Sequence, residues 1–124
     1  MKQIISTPNA PAAIGAYSQA VKVGNLLFTS GQLGIDPATG NLAPDFKSQA
    51  AQSMKNIQAI LTEAGTDYSK VVKTVVFLAD MGDFAALNEV YAQYFVEPYP
   101  ARSAVAVKTL PKNALVEIEV IAEV

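Results

Sequence analysis

With no histidine and no cysteine among its 124 residues, this chain must leave any acid–base work to Asp, Glu, Lys or Tyr. The same lack excludes Ser-His-Asp and Cys-His nucleophilic sites, disulfides and the common zinc centres. Reactions that need only modest help remain. The stretch YPARSAVAVKTLPKNALVEIEVIAEV, residues 99–124, holds the groups best suited to them. Arg102 is the only guanidinium of the chain, and its forked donors match both oxygens of a carboxylate. Glu117 and Glu119 lie between Val116, Ile118 and Val120. Partial desolvation in such a setting would raise a carboxylate's proton affinity.

Three further places put polar atoms in apolar settings. Asn88 falls on or beside the apolar stripe of a helix, where a buried amide needs partners. Ser30 and Gly31 close the strand-like NLLFTSG, where a glycine allows a bulge or a ligand close to the backbone. Tyr17 follows Gly15 in a loop and could aim its hydroxyl into a cleft. Taken singly, each has a plainer reading: a satisfied structural Asn, a strand end, a packing Tyr. GQLGIDPATGNL holds three glycines but lacks both the P-loop ending and the dinucleotide spacing, so it reads as turns.

The elements that must position these residues follow from periodicity. KQIIS (2–6) is a short strand, and AVKVGNLLFTSGQLG (20–34) reads as two strands meeting at Gly24-Asn25. Residues 36–40, DPATG, form a turn. From Phe46 to Gly65 the apolar period becomes helical through Phe46, Ala50, Met54, Ile57, Leu61 and Ala64, with Asp45 as N-cap and Gly65 as stop. KVVKTVVFLAD (70–80) is nearly continuously apolar, the pattern of a strand covered on both faces. DFAALNEVYAQYF (83–95) is a second helix with Phe84, Leu87, Tyr91 and Phe95 inward, ending before Pro98 and Pro100. Strands at 102–108 and 115–123 complete an α+β order, βββαβαββ, whose two helices cover one face of a sheet. Strand alternation places Arg102, Ala104, Ala106 and Lys108 on one side. The expectation is that Val105 and Val107 join Val116, Ile118 and Val120 under the helices. Arg102 would then share the helix-free face with Glu117 and Glu119. On periodicity alone, an Arg–Glu bridge at the sheet edge is the simpler account of that face.

Composition bounds the rest. The length suits one domain, 1–124. Half the chain is apolar (51%) and 16% is charged, a balance that points to apolar surface hidden in a subunit interface. Nine basic residues spread along a chain of net charge −2 offer no cluster for a nucleic-acid backbone. No segment reads as a signal peptide or a membrane span, so a cytoplasmic protein is expected.

Taken together and in order, IGAYSQAV, LLFTSGQLGIDPATG, ALNEVYAQYF and PARSAVAVKTLPKNALVEIEVIA resemble the reactive intermediate deaminase (Rid/YjgF) family, closest to its RidA subgroup. The resemblance runs essentially end to end, and PARS…VEIE is its most specific block. It implies a chorismate-mutase-like fold and a homotrimer with helices outside and clefts between subunits. It also implies cofactor-free hydrolysis of enamines and imines, such as 2-aminoacrylate from pyridoxal-phosphate-dependent dehydratases, to 2-oxo acids and ammonia. By motif, Arg102 matches the carboxylate-binding arginine, Glu117 the water-activating glutamate and Tyr17 the pocket tyrosine. Ser30, Gly31 and Asn88 match substrate contacts. Ala104 stands where many members have cysteine, which argues against a nucleophile there but leaves its backbone N–H. Ala16 stands where many have proline, and the segment VEPYP is shorter than in some members. Two other functions stay open: a non-catalytic trimer that binds small carboxylates or 2-oxo acids, and an endoribonuclease, which the charge and the missing histidine disfavour.

Overall fold

The computed structural model describes residues 1–124. Strands β1 (Gln3–Ile5), β2 (Ala20–Val23), β3 (Leu26–Thr29) and β4 (Gln32–Leu33) precede helix α1 (Phe46–Glu63). Then come β5 (Val71–Leu78), helix α2 (Phe84–Tyr91), β6 (Ala101–Ala106) and β7 (Val116–Glu123). The sheet order is β1-β2-β3-β7-β5-β6, with β4 also pairing with β7. Only β5 and β6 run parallel, joined through α2; the other pairs are antiparallel. Both helices lie on one face of this mixed sheet, an α+β architecture. The two-residue β4 is the element the periodicity did not separate.

Local chemistry accounts for the boundaries. Gly24, with φ of 58°, occupies the first position of the two-residue turn between β2 and β3, a conformation glycine adopts without steric cost. Asp45 caps α1 by accepting from the Ser48 N–H, while the Ser48 hydroxyl returns to the Asp45 backbone N–H. At the other end, the Gly65 N–H donates to the Thr62 carbonyl and the Thr66 N–H to the Leu61 carbonyl. That pattern closes the helix through a left-handed Gly65 (φ 82°). The apolar face of α1 packs Met54, Ile57, Ile60 and Leu61 against Leu27, Val76, Ile118 and Val120, all fully buried or nearly so. Truncating such a side chain to alanine costs about 2–5 kcal/mol.

A second, polar stripe of α1 is also buried, and it reaches the sheet end. Ser53 donates to the Gln32 carbonyl at 2.7 Å. Asn56, fully buried, donates to the carbonyls of Leu33 and Ile35 at 3.1 and 2.9 Å. Gln49 accepts from the Leu115 N–H and donates to the Ala43 carbonyl. The helix backbone comes so close here that a Cβ at Gly34 would sit 2.4 Å from the Gln49 carbonyl oxygen. Only glycine fits that position. These contacts fix the segment from Gln32 to Ile35.

Three expectations are corrected. The second helix ends at Tyr91 rather than near residue 95, because turns at Ala92–Tyr94 fold Phe95 back onto Tyr68 and Tyr91. Strand β5 alternates buried and partly exposed residues, so only its helix face is fully covered. The faces of β6 are the reverse of those expected. Arg102, Ala104 and Ala106 pair with Thr74, Val76 and Leu78 on the helix side, while Val105 pairs with Phe77 on the helix-free side, 48% exposed. Lys73, donating to the Ser103 hydroxyl at 3.1 Å on that open side, marks the same register. Glu117 and Glu119 do lie on the helix-free face, opposite Phe77 and Val75. Arg102 therefore stands on the other face from both glutamates, and no Arg–Glu bridge forms.

Candidate active site

The residues singled out in the sequence fall into two groups on opposite faces. The first surrounds a cavity of about 600 Å³ whose lining includes Tyr17, Ser30, Gly31, Gln32, Leu33 and Glu117. Strand β4 brings it together: Leu33 pairs with Glu117 across to β7, so Gly31 sits directly over the Glu117 side chain. A Cβ at Gly31 would lie 2.7 Å from Cδ of Glu117 and 2.8 Å from its Cγ and Oε1. Glycine is needed here for that close approach.

Glu117 is half-buried and its carboxylate accepts no hydrogen bond from the protein, although Ser30 and Tyr17 line the same cavity. Burial pushes its carboxyl above the usual glutamate range, and the neighbouring Glu119 carboxylate on the same face pushes it further. The result is a proton acceptor without a partner, facing open space. Ser30 is less available than its type implies. Its hydroxyl donates to the Ser18 carbonyl at 2.6 Å, leaving lone pairs for a ligand rather than a proton. Tyr17 is exposed, with its ring against Gly15.

Gln19, not singled out in its own right, holds one wall of this cavity. Its Oε1 accepts from the Thr7 N–H at 2.7 Å, and its Nε2 donates to the carbonyls of Thr7, Ala10 and Pro11 at 2.8–3.3 Å. Pro11 and Ala12 line the cavity as a consequence. The signal was a polar residue between a loop tyrosine and an apolar strand; in the fold it is only 3% exposed. Asn56 does the same for Leu33 and Ile35 from the helix side.

The second group is built at the start of β6, beside α2. Arg102 donates from Nη1 to Oδ1 of Asn88 at 2.9 Å. Its guanidinium carbon lies 4.8 Å from the Tyr91 ring centre and 5.3 Å from that of Phe84. Asn88 is exposed rather than buried, and Arg102 rather than the core satisfies it. Ala104 follows Arg102 by two residues on the same side and packs against the core. The ion pair of the chain, Lys47–Glu89, does not involve Arg102, so no carboxylate of the chain compensates it.

Arg102 aligns with Thr74 of β5 and Glu117 with Phe77. The two are thus roughly 10 Å apart along the strands, two strands apart across the sheet, and on opposite faces. No small ligand can touch both within a single chain. The helix-free face meanwhile exposes Phe28, Val72 and Val105 beside partly covered Val75, Phe77 and Ile121. This apolar, unpartnered sheet face adjoins the Glu117 cavity. No cluster of three or more acidic side chains could hold a metal ion, and no helix is long and apolar enough to cross a membrane.

Residues 7–124 match the family described as Endoribonuclease L-PSP. The chain is 58% identical to the RutC family protein y4sK of Sinorhizobium fredii, over 98% of this chain and 97% of that one. It is 54% identical to a 2-iminobutanoate/2-iminopropanoate deaminase of Capra hircus, over 98% of this chain and 90% of the other. The crystal structure of RidA from an Antarctic Psychrobacter superimposes with a TM-score of 0.96 at 55% identity, covering 98% and 99% of the two chains.

Proposed function

The chain belongs to the Rid/YjgF family, the group described as Endoribonuclease L-PSP, and from that premise we propose that it is a 2-iminobutanoate/2-iminopropanoate deaminase. The observation that carries this reading is Glu117: an unpaired, partly desolvated carboxylate facing a cavity lined by Gly31 and Ser30. A carboxylate with a raised proton affinity can take a proton from water at neutral pH. The water oxygen then bonds to the imine carbon and the C=N π electrons move to nitrogen. Glu117 returns that proton to nitrogen, giving the carbinolamine. The same carboxylate then carries the carbinolamine's hydroxyl proton to the amine, and the C–N bond breaks as C=O forms, releasing ammonia and leaving a 2-oxo acid. Water is the co-reactant, and the balance needs no cofactor or redox step.

The substrate's own carboxylate needs an anchor, and Arg102 is the one forked cation of the chain. Because Arg102 and Glu117 face opposite sides of the sheet, the reading requires Arg102 of one copy to complete the Glu117 cavity of another. A homotrimer, closed through the apolar helix-free faces, meets that requirement with three equivalent clefts. Arg102 and Asn88 then bind the carboxylate, Tyr17 borders the ligand, and backbone at Gly31 and Ala104 orients it. Positioning of this kind and general-base assistance, about 10²–10⁴-fold for the latter, suffice for a reaction already fast in water.

RNA cleavage, the activity in the family description, is less well supported. The chain has a pI near 5.0, no histidine and no basic track to neutralise phosphates. A small-carboxylate binding protein would share the Arg102 anchor but would not need a base. A coupled assay separates these readings: 2-aminoacrylate generated in place is followed with wild type and with Glu117→Gln. The deaminase reading expects faster decay with wild type and near-background decay with the variant. Equal decay with both would contradict it.

A further inference from the structure

Arg102 is half-buried and carries an uncompensated charge, yet it is not loosely held. Nη1 is tied to Asn88, and the guanidinium rests against two aromatic rings whose centres lie 4.8 and 5.3 Å from its central carbon. Of the five N–H donors of an arginine, one is used by the protein and the rest remain for an anion. The ring beneath is itself fixed. The Tyr91 hydroxyl shares a hydrogen bond of 2.9 Å with that of Thr74, which is fully buried and directly beside Arg102 in the sheet. The Tyr91 ring also packs on Phe95, their centres 4.5 Å apart. Without these contacts, a long side chain at the start of an edge strand would sample many rotamers and lose that freedom on binding.

We propose that Phe84 and Tyr91 are positioning residues that hold the Arg102 fork ready for a substrate carboxylate. The aromatic faces attract the cation and fix its plane without occupying donors, whereas a carboxylate partner would consume the fork. Asn88 sets the rotation within that plane. The inference rests on the carboxylate-anchor reading of Arg102 given above. It predicts a larger effect on affinity than on the chemical step, because these rings touch the anchor and not the reacting atoms, and Arg102 itself stays in place to position the substrate.

The test uses pyruvate, a 2-oxo acid, as a binding probe, with imine turnover measured alongside. Phe84 is only partly buried, so Phe84→Leu should fold. It is expected to weaken pyruvate binding and raise KM roughly 3- to 10-fold, the range of a partly desolvated cation–π contact, with kcat changed less than about 2-fold. Phe84→Tyr should recover most of the affinity, since it restores the ring. Tyr91→Phe, which keeps the ring but loses its hydroxyl bond to Thr74, should recover part of what Tyr91→Leu loses. Leucine variants that bind pyruvate as tightly as wild type would overturn the proposal, and so would a loss in Phe84→Tyr equal to that in Phe84→Leu. Arg102→Ala separates the two levels. Unchanged pyruvate affinity in that variant removes the anchor itself and the positioning with it. Affinity lost in Arg102→Ala but kept in the leucine variants removes only the positioning.

Discussion

Replacing Gly31 with alanine puts a methyl carbon 2.7–2.8 Å from Cγ, Cδ and Oε1 of Glu117, where ordinary contact begins near 3.4 Å. Gly31 does not have a left-handed φ, so the backbone itself accepts the new Cβ. Relief must come from Glu117, whose carboxylate has to retreat by about 0.7 Å or turn to another rotamer. A base displaced by that much is no longer aligned with the attacking water, and a misplacement near 1 Å costs on the order of 10²-fold in rate. Stability should change little, because the displaced group is half-exposed and makes no hydrogen bond to lose. The assay is decay of 2-aminoacrylate generated by a pyridoxal-phosphate-dependent serine dehydratase, read beside thermal unfolding. A kcat reduced about 10²-fold with a nearly unchanged Tm is the expected result. Wild-type kcat in Gly31→Ala would show that the position of Glu117 does not limit turnover, and the base assignment would fall.

The other predictions concern the cavity floor and the titration of its base. Asn56→Leu leaves the Leu33 and Ile35 carbonyls without their buried donor, which should cost roughly 2–4 kcal/mol in denaturant unfolding. Buried apolar side chains nearby cannot supply a replacement. The pH profile of kcat should have its acid limb above the ordinary glutamate value of 4.5, because burial and then Glu119 hold the proton on Glu117. Glu119→Gln removes the second cause and should move that limb to lower pH. Linkage has the opposite sense for folding. A raised carboxyl pKa contributes stability that is full below 4.5 and is lost as pH rises through the folded value. Glu117→Gln should therefore gain stability relative to wild type as the pH is raised toward neutrality, measured as Tm against pH.

Where one residue type settles a local choice, the chain could be read directly. Asp45 and Gly65 bound α1 by capping chemistry that needs no tertiary partner, and Gly24 closes the hairpin for the same reason. Strand β7 alternates glutamates with aliphatics, so its buried face was unambiguous. Strand β6 was not, because valines on one side and alanines on the other both suit burial, and the helix-free face is also apolar. Periodicity separates faces only when one of them is polar. An apolar face left open in the single chain has the same pattern as a core. The side chosen for Arg102 followed from that choice, and the aromatic floor of Phe84 and Tyr91 shows why the helix side accepts a cation. Ser53, Asn56 and Gln19 were hidden differently. Their partners are backbone carbonyls up to 23 residues away, a pairing that exists only after the chain has folded. Of the candidate residues, Tyr17, Ser30, Gly31 and Glu117 do share one cavity, since β4 and β7 pair where the motifs required.

The opposite placement of Arg102 and Glu117 makes the account testable by mixing two dead variants. Arg102→Ala and Glu117→Gln are each expected to lack activity as pure assemblies. If a site takes Arg102 from one copy and Glu117 from its neighbour, random co-assembly at equal amounts restores about one site in four. Co-expression, purification of the mixed assembly and the imine-decay assay should therefore give about a quarter of wild-type activity. Activity no higher than that of the two variants assayed separately would contradict a site completed across copies.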